Sequence, residues 1–548
     1  MGQVMNKIFL TLALLSLAFI GATSIASEEE HDPAEIAIGE RLFLETRFSQ
    51  AYFAGRGKGD SVMDKTETIA DPLPGAFAGK TMNCRACHLV DEYANQGHNP
   101  VGGMRTYADF ARRSPVPQRE DRQVFAQRNS MSMLNISQGA YSDDVDNALF
   151  HHDGQFNSMS DLVMATLTGR NYGWLPGEAK AAITHIASVI RSDDGKGALA
   201  KEFGGRYKKI LSAKDRSIPA EFKLSKEFAI DVDKATDQQL VSAVANIISA
   251  YVTDLAFSKN ENNEYDGSAY DLFLQKNKLP RKPVKGETKK QYSQRLMKAV
   301  NKLQNPLFVK ASEKKLDTHV KSYAFGDKAL LGMKLFFRKG SAKQSGGNCV
   351  SCHSAPDFSD FKFHNTGLTQ VNYDSLHGEG VFAKLQIPAL AERNNNYNRY
   401  LPSTEQHPQA GSVFRQVASA SKPGRVDLGL WNVFANKDMP APQKKIRRIL
   451  CQQAKEQNKL CSDQQLLELS VAAFKTPVLR DLEHSGPYFH NGVASSLRET
   501  LVFYQLSRNR ALQTGFRNLS SEMQHIALNA KDVENLLAFL LSLNEDYD

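Results

Sequence analysis

Two segments of the chain carry apolar residues at helical spacing, one near the middle and one near the end. The apolar positions are Leu240, Val241, Val244, Ile247, Ile248 and Tyr251 in the first segment and Val533, Leu536, Leu537, Leu540 and Leu541 in the second. Residues three and four apart share one face of a helix, so each pattern predicts an amphipathic helix packed against a core. We therefore expect each half of the chain to end in a helix.

Shorter motifs also occur twice in the same order, which indicates an internal duplication. Each half has a Gly-x-x-Leu-Phe motif, an aromatic-His turn that ends in Gly, and a Ser-x-x-acid motif. These are Gly39–Phe43 and Gly332–Phe336, Phe150–Gly154 and Phe489–Gly492, and Ser158–Asp161 and Ser496–Glu499. A Ser followed by an acid three residues later is typical of a capping box that begins a helix. The sequence therefore predicts a mostly α fold in which one structural module occurs twice.

The N-terminus carries a different apolar pattern, an uncharged run from Ile8 to Ile20. Lys7 precedes this run, and the small residues of Ser24-Ile25-Ala26 follow it. A charged start, a short apolar stretch and a small-x-small site are typical of a secretory signal peptide. We predict that residues 1–26 direct the chain to the periplasm. The alternative is an uncleaved anchor, although the run is short for a membrane span.

Composition is that of a globular protein with room for two or three domains. Of the 548 residues, 41% are hydrophobic and 23% are charged. The net charge of +8 fits either the docking of an acidic redox partner or a solvated basic surface. No helix-turn-helix, zinc-finger or RNP-type motif is present, so no nucleic-acid partner is expected. Two stretches exceed the repeated module: a basic connector over residues 256–320, with one helix near Tyr292–Leu303, and a loop insertion over residues 385–470.

Each half contains one C-x-x-C-H motif, Cys84–His88 and Cys349–His353. Two cysteines at this spacing reach the two vinyl groups of one haem as thioethers, and the adjacent His lies beneath the iron as its proximal ligand. The alternative is a zinc knuckle or a disulfide pair. We predict two covalently bound haem c groups, one held by Cys84, Cys87 and His88 and the other by Cys349, Cys352 and His353.

A helix, a C-x-x-C-H motif, loops at the haem edge and a closing helix make up a cytochrome c domain. We therefore expect two such domains in tandem, an N-terminal one over residues 30–255 and a C-terminal one over residues 321–548, with loop insertions. Cys451 and Cys461 lie outside the motifs. In an oxidising compartment these two cysteines are expected to form a disulfide.

Further motifs surround the haem sites in both halves. They are Arg128-Asn129-Ser130, Phe358 to Leu368, Phe474 to Arg480, and Pro487 to Gly492. Together with the Gly-x-x-Leu-Phe motif they resemble the bacterial di-haem cytochrome c peroxidase/MauG superfamily. The resemblance implies that the haem on His88 meets hydrogen peroxide and that the haem on His353 transfers electrons. It implies a small periplasmic cytochrome or other redox protein, or a protein substrate, as partner. A two-haem electron carrier without enzymatic activity is the alternative.

The same resemblance points to an iron ligand in the second half. Peroxidases of the family place a Met fourteen residues after the His of a Tyr-Phe-His-x-Gly motif, and counting from His490 gives Tyr504. Phenolate ligation, as in MauG, lowers the haem potential, whereas a thioether raises it. Tyr504 is therefore the candidate sixth ligand of the haem on His353. The alternative is a buried Tyr that packs on the porphyrin.

On the peroxide side of the first haem, the sequence departs from the family. His98 is the only His in the loop after the attachment site and is the candidate displaceable ligand. Glu178 is the acid nearest to the position of the family's distal Glu and is the candidate proton donor. Each is otherwise a surface residue. His152 stands where the family commonly has a Trp between the haems, and it either relays electrons or hydrogen-bonds a haem propionate.

The resemblance also implies a calcium ion between the two domains. The matching ligands are Asn129, Ser485 and the carbonyl of Pro487. Only one or two of these are strong oxygen donors, so water would complete the coordination. The alternative is that Asn129 and Ser485 cap local turns.

Overall fold

The computed structural model describes residues 32–55, 83–84, 87–88, 116–136, 149–313, 323–512 and 515–545. The predicted signal peptide and His98 lie outside this part of the chain. The fold is mostly α, as the sequence predicts, and the described strands form a two-stranded sheet. Within the described ranges, no helix combines the length and the apolar character that crossing a bilayer requires.

The first half is built from helices that enclose one hydrophobic core. They are α1 (Ala34–Phe43), α2 (Gln50–Gly55), α3 (Met159–Leu167), α4 (Ala179–Ser192), α5 (Ala198–Glu202), α6 (Tyr207–Ser212) and α7 (Asp237–Asp254). The predicted apolar stripe lies on α7, where Leu240, Val244 and Ile247 are fully buried. A capping box formed by Thr236 and Gln239 begins this helix.

The second half has a longer list of elements. They are α8 (Ala269–Lys276), α9 (Lys289–Val300), α10 (Asp327–Phe337), β1 (Phe363–His364), α11 (Leu368–His377), α12 (Leu390–Asn395), α13 (Tyr397–Tyr400), α14 (Gln443–Glu456), α15 (Asp463–Leu469), β2 (Phe474–Lys475), α16 (Leu497–Leu512) and α17 (Ala530–Leu541). The stripe predicted near the end of the chain lies on α17 and buries Val533, Leu536 and Leu540.

In each half, the first helix of the repeated module crosses the last one at a glycine. A Cβ added to Gly39 in α1 would collide with the backbone oxygen of Ile247 in α7. A Cβ added to Gly332 in α10 would collide with the backbone oxygen of Asn535 in α17. The glycine of the Gly-x-x-Leu-Phe motif is therefore required where two helix backbones touch.

The aromatic-His turn has the same geometry in both halves. An isolated antiparallel bridge closes each turn, between Phe150 and Phe156 in the first half and between Tyr488 and Ala494 in the second. His151 and Phe489 occupy equivalent positions and both have left-handed backbones, with φ of 73° and 68°. This conformation is costly for a bulky residue, so its presence in both halves supports the internal duplication.

The segment predicted as a basic connector packs into the core of the second half. Its helices α8 and α9 bury Tyr270, Phe273, Tyr292 and Leu296 in that core. The sequence predicts one helix near Tyr292–Leu303, and α9 lies there but begins three residues earlier. Helix α8 was not expected, because its eight residues are too few for the apolar period to stand out.

Residues 385–470, predicted as a loop insertion, contain α12 to α15 and surround a further hydrophobic core. Trp431 is fully buried in this core, and the buried Arg393 donates to its carbonyl at 2.6 Å. Leu149 of the first half belongs to the same core, so the insertion also contacts that half. The predicted disulfide between Cys451 and Cys461 is confirmed.

Candidate haem sites

The first C-x-x-C-H motif holds its histidine in an orientation suited to metal binding. Nδ1 of His88 donates to the carbonyl oxygen of Met131 at 2.7 Å, which leaves Nε2 available as a ligand. Burial lowers the pKa of His88, so the ring is in the neutral form that a metal requires. Sγ of Cys84 lies 3.3 Å from the hydroxyl of Tyr172, which is almost fully buried.

The second motif repeats this arrangement with different residues. Nδ1 of His353 donates to the carbonyl oxygen of Phe358 at 2.9 Å. A 3₁₀ turn over Cys349–Ser351 places the cysteines before it, and burial again lowers the pKa of His353. Both halves thus present a neutral imidazole whose orientation is fixed by a carbonyl in a following loop.

The four motif cysteines fit thioether attachment better than the two alternatives. None of them is part of a disulfide. Among the described residues, no three His, Cys, Asp or Glu side chains converge to hold a metal ion, as a zinc knuckle requires. Burial raises the pKa of Cys84 to about 11 and that of Cys349 to about 12, which disfavours the thiolate that zinc binds.

Tyr504 lies at the second motif, on α16. Burial raises the pKa of Tyr504, and its nearest titratable neighbours are Cys352 and Cys349. Its ring contacts those of Phe489 and Phe503, with centroids 6.2 and 5.3 Å away. Within the described part of the chain, no hydrogen bond to its hydroxyl is formed. The half-buried phenol therefore keeps its oxygen available for another partner.

Glu178 is not arranged as a proton donor. Its carboxylate accepts from the guanidinium of Arg119 at 2.8 and 3.1 Å and from the amide of Leu175 at 2.7 Å. Although partial burial acts to raise the pKa of Glu178, these hydrogen bonds lower it below its ordinary value. A carboxyl group that stays ionised and paired is a poor acid, so the geometry favours the surface interpretation of this residue.

A buried cluster of four charged residues joins the first half to the insertion. Arg128 makes a bidentate pair with Asp427 at 2.6 and 2.9 Å and contacts Asp153 at 2.6 Å. Arg415 lies 3.5 Å from Asp153 on the other side. The two arginines and two aspartates balance in charge, as a buried cluster requires. This cluster fixes the aromatic-His turn of the first half, which contains Asp153.

Two neutral histidines lie beside Asn129, whose backbone amide donates to the carbonyl oxygen of His490 at 2.8 Å. Nε2 of His152 donates to the carbonyl oxygen of Asn129 at 3.0 Å. The ring of His490 stacks on that of Phe474, with centroids 3.7 Å apart. Burial lowers the pKa of His152 to about 3 and that of His490 to about 4. His152 is thus held by the backbone in the place where the family has a Trp.

The structure brings two of the three predicted calcium ligands together. The side-chain amide of Asn129 contacts the carbonyl oxygen of Pro487, and Oδ1 of Asn129 is buried without a hydrogen-bond partner. The hydroxyl of Ser485 instead donates to the carbonyl oxygen of Leu482 at 3.3 Å, within its own turn. An orphaned amide oxygen beside a carbonyl fits a hard cation, whereas Ser485 is arranged as a turn cap.

Several residues of these sites could not be found from the sequence. The carbonyls of Met131 and Phe358 give no signal, because every residue type has one. The partner of Arg128, Asp427, lies 299 residues away and inside the insertion. Tyr172 lies in the stretch in which the resemblance implies an acid, so nothing in the sequence points to its hydroxyl.

No protein-family model matches the sequence. Cytochrome-c peroxidase IdrP2 of Pseudomonas sp. (strain SCT) is 26% identical over 229 residues, which are 41% of this chain and 42% of that protein. Methylamine utilization protein MauG of Methylophilus methylotrophus is 39% identical over 72 residues, which are 13% of this chain and 20% of that protein. The aligned part of the chain therefore spans less than half the length of these relatives.

Two solved structures are similar over most of the chain. A MauG-like protein associated with microbial copper homeostasis covers 94% of this chain and 91% of its own, at 16% identity and a TM-score of 0.44. The diheme peroxidase BthA from Burkholderia thailandensis E264 covers 94% of this chain and 87% of its own, at 16% identity and a TM-score of 0.43. The two C-x-x-C-H sites and the sequence similarity to both kinds of curated relative support the resemblance of the chain to the bacterial di-haem cytochrome c peroxidase/MauG superfamily.

Proposed function

We propose that the chain is an exported, periplasmic oxidoreductase with two covalently bound haem c groups. The haem attached at His88 activates hydrogen peroxide, and the haem attached at His353 relays the electrons. In this proposal Cys84 and Cys87 anchor the first haem, and Cys349 and Cys352 anchor the second. The support for it comes from the two equivalent motif geometries, the family resemblance and one difference between the halves.

That difference lies in the helix that follows each aromatic-His turn. Helices α3 and α16 begin at the same distance from their turns, so Tyr504 on α16 corresponds to Thr166 on α3. The hydroxyl of Thr166 donates to the carbonyl oxygen of Leu162 at 2.9 Å, within its own helix. At this position α3 therefore offers no ligand to the first iron, whereas α16 offers a phenol to the second. This single observation favours peroxide binding at the first haem.

Haem iron supplies the site at which peroxide binds and its O–O bond is cleaved. The balanced reaction takes one peroxide, two protons and two electrons to two water molecules. In the first half, His88 is held by Met131 in the orientation of a proximal ligand. Tyr172, whose pKa burial raises well above its ordinary value, keeps its proton beside Cys84 and can donate a hydrogen bond there.

In the second half, Tyr504 decides which kind of redox partner is suitable. Its half-buried phenol is neutral in the protein alone, so a ferric ion would have to replace its proton for ligation to occur. Phenolate favours the ferric over the ferrous state and lowers the haem potential. A low potential makes this haem a poor acceptor from ordinary cytochromes. We therefore favour oxidation of a protein partner over peroxide removal fed by a small cytochrome.

A calcium ion between the halves is part of the same proposal. Asn129 and the carbonyl of Pro487 would be its protein ligands, with Ser485 joining only after its hydroxyl leaves the carbonyl of Leu482. Water would supply the remaining oxygens. Chelation with EGTA, followed by a spectrum of each haem, tests this: unchanged spectra and unchanged calcium content would exclude the site.

The function is tested by adding hydrogen peroxide to the purified ferric protein and recording its absorption spectrum. We expect a change within the mixing time and consumption of peroxide, with loss of the response in a variant that lacks the first haem, Cys84→Ser/Cys87→Ser. The matched control is Cys349→Ser/Cys352→Ser, which should still bind peroxide but fail to store the second oxidising equivalent. A wild-type spectrum that peroxide leaves unchanged would show that the chain is an electron carrier.

A second assay separates the two kinds of partner. Reduced small cytochrome is mixed with peroxide and catalytic amounts of the protein. Slow turnover together with a long-lived oxidised spectrum supports oxidation of a protein substrate. Rapid oxidation of the cytochrome would instead identify a peroxidase of the electron-donor type.

A further inference from the structure

Lys475 is a cation at the junction of the two halves. It belongs to β2, which pairs with β1 in the register Phe363 to Lys475. Its backbone amide donates to the carbonyl oxygen of His152 at 2.8 Å, and its Nζ donates to the carbonyl oxygen of Leu149 at 2.6 Å. Both contacts reach from the second half into the first, at the turn that adjoins the first haem site.

Within the described ranges, no carboxylate lies within ion-pair distance of the ammonium group of Lys475. Its Nζ lies 5.7 Å from the ring centroid of Phe150 and 5.6 Å from that of Phe361. Burial, with no opposing charge, lowers the pKa of Lys475 to about 8. Aromatic faces and one carbonyl compensate only part of the cost of enclosing a cation.

A second lysine, Lys289, contacts the same ring of Phe361 but is paired with a carboxylate, which Lys475 lacks among the described residues. Nζ of Lys289 lies 4.4 Å from the ring centroid of Phe361 and makes an ion pair of 2.6 Å with Asp357. The described residues thus supply a carboxylate for one of the two ammonium groups at this ring and none for Lys475. A half-buried cation of this kind is the feature that an anionic ligand would complete.

The position of Lys475 relative to both motifs identifies that anion by its chemistry. The next residue along the chain, Thr476, accepts at its carbonyl from the hydroxyl of Ser359 at 2.8 Å, beside Phe358, whose carbonyl holds His353. On the other side, His152 donates to the carbonyl oxygen of Asn129, two residues before Met131, whose carbonyl holds His88. Lys475 is therefore placed between the two haem sites. Haem carries carboxylate side chains, its propionates, on the edge away from the thioether bonds.

We propose that Lys475 is the counter-ion of a haem propionate at the junction of the two halves. The inference rests on the two haem groups of the proposed function, whose presence a pyridine haemochrome spectrum establishes independently. The pair neutralises the ammonium and the carboxylate together and couples the potential of that haem to the contact between the halves. Loss of the cation leaves an unpaired negative charge near the iron, which stabilises the ferric state.

The test is a spectroscopic redox titration of Lys475→Met, Lys475→Arg and the wild type, without peroxide. In Lys475→Met we expect the midpoint potential of one haem to shift to more negative values. Lys475→Arg keeps the charge, so its midpoint potential should stay close to that of the wild type. The matched control is Lys362→Met, which removes a partly exposed lysine whose partner is Glu456 at 3.7 Å and should leave both potentials unchanged.

The haem whose potential moves is the one that bears the propionate, so the titration also assigns the pair to the His88 or the His353 site. Two unchanged potentials in a Lys475→Met protein with full haem content would overturn the proposal. If Lys475→Met fails to fold, resonance Raman spectra of the wild type and Lys475→Arg decide. A propionate bending band that is the same in both proteins, at the position of a free carboxylate, would overturn it equally.

Discussion

Substituting Asp427 by Asn tests whether buried charge joins the first half to the insertion. The carboxylate of Asp427 accepts two hydrogen bonds from Arg128, at 2.6 and 2.9 Å, and one from the amide of Gly429 at 2.9 Å. Both charged side chains are buried, with exposed fractions of 5% and 7%. The substitution keeps the shape and removes the charge, so Asp153 is the carboxylate of this cluster that still pairs with Arg128.

The magnitude follows from the burial of the pair. Removing one partner of a buried ion pair costs about 3–5 kcal/mol, because the other charge is left enclosed. Since Asp153 still compensates Arg128, we expect a loss near the lower end, about 3 kcal/mol of unfolding free energy. A matched surface pair is Arg170 with Asp121, which has the same bidentate geometry at 2.6 and 2.9 Å. Asp121→Asn should cost less than about 1 kcal/mol.

The assay is urea unfolding of both variants, followed by haem absorbance and by proteolysis at the insertion. Burial acts to raise the pKa of Asp427, but Arg128 lowers it below its ordinary value. A lowered pKa stabilises the fold above the ordinary carboxyl pKa, and this contribution disappears as the pH falls. The difference in unfolding free energy between the wild type and Asp427→Asn should therefore be largest at pH 7 and decrease below about pH 4. Equal losses for Asp427→Asn and Asp121→Asn would refute the reasoning.

Three further predictions concern other parts of the chain. Gly332→Ala should destabilise the second half by about 1–3 kcal/mol in thermal unfolding, because its methyl group meets the backbone of Asn535. An unchanged melting temperature would show that α10 and α17 can separate freely. Cys451→Ser should lower the unfolding free energy of the insertion by about 3 kcal/mol, since the bridged residues are 10 apart in sequence. Reduction with dithiothreitol should lower the unfolding free energy of the wild type by the same amount and leave that of Cys451→Ser unchanged. Glu178→Gln should leave the rate of peroxide consumption unchanged, and a tenfold fall would restore Glu178 as the proton donor.

Most elements of the two haem modules could be predicted from local sequence patterns. The apolar stripes on α7 and α17, the Gly-x-x-Leu-Phe motif and the two aromatic-His turns are short-range features, and each appears where the sequence places it. Their physical causes act within a few residues: helical period, capping, and a glycine where backbones touch. The spacing from each turn to its helix is the same in both halves, which is why Tyr504 can be compared with Thr166.

Long-range pairing could not be read from the sequence. Asp427 meets Arg128 only because the insertion folds around Trp431 and packs against Leu149 of the first half. The sequence predicts this insertion as a loop, yet it contains helices α12 to α15, and Arg393 is buried there by hydrogen bonds to the carbonyl oxygens of Trp431 and Phe434. The same limit applies to Glu178, whose pairing with Arg119 depends on a contact across 59 residues.

The most direct test of the account is electron paramagnetic resonance of the resting ferric protein and of Tyr504→Phe. Since α16 presents a phenol at the position where α3 has Thr166, one iron should be open and the other closed by Tyr504. The wild type should therefore show one high-spin and one low-spin ferric signal per chain, and the low-spin signal should be lost or displaced in Tyr504→Phe. Two low-spin signals that both survive the substitution would contradict the account.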